Sequence, residues 1–226
     1  MKRRLVLFGL LVLVVIATAG FAPRALRHVE FFRMRQVELI GLRYLAPDQV
    51  LATLNLGPVQ HLFDPTDDIE RRAEAIPGVV DVEVQRRLPG TLRFVFAEEV
   101  PVAFAPGAAG LVPLDGACRP LPYDPALTGF DLPLVQRVDT LVVRALALVR
   151  AADSSLFHEV DAARRGAGGA VVLELGGRSV LLPAVPTRSD IYAVGAVRDQ
   201  LMRSGRPYQA LDARFAGWVV VRRGRV

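Results

Sequence analysis

Ser154, Ser155 and His158 are the residues of this chain whose types and spacing come nearest to nucleophilic chemistry. A hydroxyl nucleophile needs a base within hydrogen-bond reach and a third group that orients the base. Here no nucleophile elbow surrounds the serines and no matched acid stands out. The simpler reading is a helix end near Ala152 followed by the start of a strand. Asp67, Asp68 and Glu70 could be taken for a metal cluster, but carboxylates crowd in this way at the positive end of a helix dipole. His28 and His61 have no ligand-spaced partners, and three His with one Cys (Cys118) leave little for a zinc cage. Gly166-Ala167-Gly168-Gly169 lies between strand-like segments instead of opening a helix, which makes it a poor phosphate loop. The sequence therefore assigns no catalytic, cofactor-binding or metal-ligating residue. The expectation is a protein that is not an enzyme and carries no cofactor.

The elements around these residues suit a folded chain. Of 226 residues, 52% are hydrophobic and 23% charged, which is too apolar for disorder. The length fits one large or two small domains. Sixteen Pro and nineteen Gly break the chain too often for a coiled coil. The formal net charge is +5, the sequence pI is about 10.1, and Lys2 is the only lysine.

Lys2-Arg3-Arg4 precedes an uncharged apolar run, Leu5 to Ala22, which ends at Pro23-Arg24. As a helix this run would span about 27 Å, close to the hydrocarbon thickness of a bilayer. It reads as an uncleaved transmembrane anchor over 5–22, with residues 1–4 as a cytoplasmic stub and 23–34 as a juxtamembrane segment. The basic triplet keeps the N-terminus inside. The competing reading is a signal peptide cleaved after Ala19 or Ala22, since Ala17-Thr18-Ala19 is a small-x-small site. In either case the rest of the chain is exported and its basic charge loses any nucleic-acid meaning.

Residues 35–100 read as one β-α-α-β-β unit. A strand from Arg35 to Ile40 ends at Gly41. A short helix follows over Pro47 to Leu54, and a second begins at Asp64-Pro65 and stops at Pro77-Gly78. Val80, Val82 and Val84 alternate with polar residues, and Leu92, Phe94 and Phe96 repeat the pattern after Leu88-Pro89-Gly90. Residues 101–226 read as a β-rich mixed domain with two helices. One carries Val138, Leu141, Val142, Ala145 and Val149, the other Ile191, Val194, Val197 and Leu201. Gly176-Gly177 joins two strands as a hairpin, and the tail forms two more strands about Ala216-Gly217. The fold class expected is α+β. Arg71-Arg72 and Arg86-Arg87 read as solvated faces.

Several motifs, in this order, resemble those of the FtsQ/DivIB cell-division family. Val37-Glu38-Leu39-Ile40-Gly41 is similar to its opening strand. Ile76-Pro77-Gly78-Val79, with Val84-Gln85-Arg86-Arg87-Leu88-Pro89-Gly90-Thr91-Leu92, is similar to its hairpin. Glu98-Glu99-Val100-Pro101-Val102-Ala103 is similar to its domain junction, Leu114-Asp115-Gly116 and Leu132-Pro133-Leu134 to markers of its second domain, and Leu211-Asp212-Ala213-Arg214-Phe215 to the entry of its last strands. The chain departs from the pattern at Gly78, Glu99 and Gln136, where an aromatic, an Arg and a Gly are common. The resemblance spans about residues 5–222. It implies a single-pass inner-membrane protein of the division septum, with a POTRA-like domain over 35–100 and a β domain over 101–226. It also implies partners of the FtsB/FtsL type on the exported side, with no nucleic acid and no small-molecule substrate. By that resemblance the last strands receive a partner strand, which places the partner-binding residues at Phe215, Gly217, Trp218, Val219 and Val220. The alternative for the same residues is that Trp218 and the valines complete the core. Arg222, Arg223 and Arg225 stand beside them either as guards of an exposed edge or as attractors of acidic side chains.

Overall fold

The computed structural model describes residues 30–57, 61–108 and 110–224. The chain divides into two compact units, Met1–Glu98 and Glu99–Val226, and both mix helices with strands, so the protein is α+β. The span expected at Leu5–Ala22 lies outside the described residues. Among the described residues no helix is long and apolar enough to cross a membrane.

The first unit runs β1 (Gln36–Ile40), α1 (Pro47–Leu54), α2 (Asp67–Glu74), β2 (Val79–Arg87) and β3 (Thr91–Glu98). Its sheet has the order β1-β3-β2, with β1 parallel and β2 antiparallel to the central β3. Leu92, Phe94 and Phe96 of β3 are buried, as the alternation requires, together with Val50 and Leu54 of α1 and Ile69 and Ala73 of α2. On β2 the alternation holds less well. Val82 is buried, but Val80 is exposed because the register with β3 shifts between Val79 and Asp81, and the extra residue turns outward. The second helix also starts later than its Asp-Pro signal suggests. Thr66 occupies the N-cap, while the Asp64 carboxylate accepts the His61 N–H at 2.8 Å and closes a turn before the helix.

Three charged side chains hold connections of this unit. The Glu98 carboxylate accepts the backbone N–H groups of Arg43, Tyr44 and Leu45 at 2.7, 2.9 and 2.9 Å, fixing the β1–α1 connection to the end of β3. Arg86 is exposed, as a solvated face would be, but its guanidinium is also engaged. Its Nε donates to the Leu62 carbonyl at 2.8 Å, and its Nη2 donates to the Asp64 carbonyl and the Thr66 hydroxyl. Arg72 likewise donates to the Leu54 carbonyl at 3.0 Å, tying α2 to the end of α1.

The second unit runs β4 (Ala103–Gly107), β5 (Gly110–Leu114), α3 (Pro125–Thr128), β6 (Leu134–Val135), α4 (Thr140–Ala152), α5 (Ser154–His158), β7 (Ala162–Arg165), β8 (Val171–Leu175), β9 (Arg178–Leu182), α6 (Arg188–Arg203), β10 (Ala210–Phe215) and β11 (Trp218–Arg222). Its eight strands form one mixed sheet in the order β11-β10-β9-β8-β7-β6-β4-β5. The two expected helices are α4 and α6, and the short α3 and α5 are additional. Helix α4 begins at Thr140, after Val138, because the Asp139 side chain caps it by accepting the Leu141 and Val142 N–H groups. Arg165 of β7 grips the same carboxylate at 2.6 and 2.8 Å, and this contact, ahead of the backbone bonds, holds its pKa below the usual carboxylate range. Thr187 and Asp190 make a reciprocal capping box at the start of α6. Val142, Leu146 and Val149 of α4 and Ile191 and Val194 of α6 form one core with Leu173, Val180, Leu182 and Leu211 of the sheet.

Candidate functional site

Ser154, Ser155 and His158 lie on α5, a helix where the sequence suggests a strand start. The Asp153 side chain accepts the Leu156 N–H at 2.9 Å and restarts the helix at once. The imidazole of His158 sits 2.5 Å from the Ser154 backbone carbonyl, so it is directed to its own helix and not to a hydroxyl. The Ser155 hydroxyl donates to Asp153 and accepts from Arg198 at 2.7 Å. Asp67, Asp68 and Glu70 occupy the first turn of α2. Among the described residues no three His, Cys, Asp or Glu side chains group closely enough to hold a metal ion.

The terminal hairpin is different in kind. Strand β11 is the last strand of the sheet. It pairs with β10 on one side, and no described strand lies on the other. Alternate N–H and C=O groups of such an edge point away from the sheet and are open to another strand. Its side chains divide by face. Val219 and Val221 are partly buried and pack on the core, whereas Trp218 is 76% exposed and Val220 44%. Phe215, opposite Trp218 across the hairpin, is 52% exposed. Gly217 holds the turn at φ +78° with open space where a Cβ would stand. The five candidate residues are therefore brought together in one hairpin. The core reading applies to Val219; Trp218, Phe215 and Val220 face solvent.

Asp212, which the sequence marks only as part of the motif entering the last strands, organises this hairpin. Asp212 of β10 lies opposite Val220 and is fully buried. Arg214 donates to its carboxylate from Nε and Nη2 at 2.8 and 2.7 Å, and Arg222 of β11 donates from Nη2 at 2.8 Å. The Arg214 bonds, followed by weaker help from Arg222, hold Asp212 below the usual carboxylate pKa. One acid thus locks two arginines along the face that carries Val220, and Arg222 is engaged before any partner arrives. The signal was available: Asp212 and Arg214 are two apart and share a face of a strand. Its link to Arg222 depends on the hairpin register.

What the arrangement can do chemically is recognition. A sheet edge with no described strand beside it offers orientation and hydrogen bonds to an added strand, and exposed aromatic side chains next to it offer anchors. No family model matches the sequence, and no curated protein matches it either.

Proposed function

We propose that the protein is a non-catalytic scaffold of the FtsQ/DivIB type. In this reading it is held in the bacterial inner membrane by residues 5–22 and binds other division proteins of the FtsB/FtsL type on the exported side. One observation carries the reading: β11 is a sheet edge with no further strand beside it among the described residues, flanked by exposed Trp218, Val220 and Phe215. An apolar edge of this kind is a liability for a lone protein and an asset for one with a strand-donating partner. The β-α-α-β-β order of Gln36–Glu98 supports the reading, because it is the order a POTRA-like domain has by the resemblance described above.

The test is capture of an FtsB-like partner by Trp218→Lys and Phe215→Glu variants. Both side chains are more than half exposed, so each variant keeps the wild-type circular dichroism spectrum and melting temperature. Each loses at least tenfold in affinity, the usual effect of removing an aromatic anchor. A folded variant that captures the partner as well as wild type would remove the edge from the mechanism.

A further inference from the structure

Beyond β11 the sheet ends in a cleft of about 800 Å³, lined by Arg206, Pro207, Tyr208, Arg223 and Gly224 with Gly177 of the β8–β9 turn. A smaller hollow of about 470 Å³ shares Arg206, Pro207 and Tyr208 and adds Met202 and Leu201 at the end of α6. The cleft is built onto the proposed docking edge. Arg223 and Gly224 directly follow β11, and the Gln209 N–H donates to the Arg222 carbonyl at 2.8 Å, tying the Arg206–Gln209 loop to the strand's end. Arg178 lies over the Tyr208 ring at 5.3 Å and donates to its hydroxyl, which fixes the ring in place.

The charges are unbalanced. Arg222 is taken by Asp212 and Arg178 by Glu159. Arg206 and Arg223 are exposed and have no acidic partner among the described residues. Two guanidiniums over an apolar, aromatic floor fit a peptide segment with carboxylates and at least one apolar side chain.

We propose that this cleft receives an acidic stretch of the partner, the stretch that flanks the strand laid on β11. The inference rests on the scaffold reading and adds the chemistry of the partner to it. Arg206 and Arg223 act as a charge clamp that sets which end of the added strand lies beyond Arg222. Trp218 and Phe215 anchor the other end.

The test uses the full-length chain in detergent and random dodecapeptides displayed on phage. Enriched peptides are expected to place two or more Asp or Glu beside an alternating apolar stretch. A synthetic copy of the strongest should lose about tenfold in affinity for the Arg206→Gln/Arg223→Gln double variant, the worth of two partly exposed ion pairs. That loss should shrink in high salt. Both side chains are exposed, so the double variant keeps its fold. Enrichment without acidic bias, or unchanged affinity in the double variant, overturns the inference. So does loss in the double variant of binding to phosphatidylglycerol vesicles when the peptides show no acidic bias, which would make the cleft a lipid contact. The scaffold reading fails separately. If Trp218→Ser leaves the apolar stretch of the selected peptides unchanged while the acidic bias still depends on Arg206 and Arg223, the strand-addition reading falls and the cleft's preference for acidic chains stands.

Discussion

Asp212 shows how much one buried carboxylate can set. It has no exposed surface, yet it remains ionised because two guanidiniums, Arg214 and Arg222, donate three N–H groups to it. Its folded pKa lies below the ordinary value, Arg214 being the first cause. A carboxyl lowered in the folded state adds stability above its unfolded pKa of about 4, and the gain is lost as pH falls through the folded value. Asp212→Asn should therefore destabilise the second unit by about 1–2 kcal/mol at neutral pH, and the gap from wild type should narrow steadily below about pH 4. Thermal melts of both proteins from pH 3 to 8 check this. A gap that does not change with pH would mean that packing, not charge, is what Asp212 supplies. The same substitution frees Arg214 and Arg222 to move, so it should also weaken partner capture while Trp218 is untouched.

At the scale of elements, glycines with similar φ angles are under different constraints. Gly41 closes β1 at φ +89°, and a Cβ there would stand 2.1 Å from the Phe96 carbonyl oxygen on β3. That oxygen belongs to the central strand and cannot retreat. Gly217 in the terminal hairpin has φ +78° but open space around it. Gly41→Ala should cost the first unit about 2–4 kcal/mol, from backbone strain and the clash together, and Gly217→Ala about 1 kcal/mol from strain alone. Denaturant titrations of the two variants separate these values; equal costs would show that β3 yields. Much of the element order is legible in the sequence because period and punctuation agree. Leu92, Phe94 and Phe96 alternate and are buried, and Gly176-Gly177 forms a hairpin turn with both residues at positive φ. The departures have local causes. Asp64 closes a turn before its helix, Asp153 restarts a helix after Ala152, and a bulge at Val80 turns a valine outward. The candidate site was legible as a hairpin with an aromatic end. Which of its valines face the core, and which acid binds Arg222, depend on pairing between distant strands, and a single sequence does not encode that pairing locally.

For the molecule as a whole, the scaffold reading depends on where the chain is held. The apolar run Leu5–Ala22 is uncharged and follows Lys2-Arg3-Arg4, and the 203 residues from Arg24 onward carry both folded units. If the run is retained as an anchor, it confines β11 to the lipid's vicinity, where single-pass partners are also confined and their effective concentration is high even when a single strand addition is weak. Cleavage after Ala19 or Ala22 would release the units and remove that advantage. The expectation is that the mature protein keeps its N-terminal residues by intact mass measurement and stays with the membrane fraction through alkaline extraction. A fluorescent fusion should gather at midcell, and depletion should produce filaments. A mature mass beginning at Gly20 or Pro23 would instead mark a released periplasmic module. Its β11 edge would then have to bind partners from solution, and Trp218 and Phe215 would need to supply far more of the affinity than an anchored protein requires.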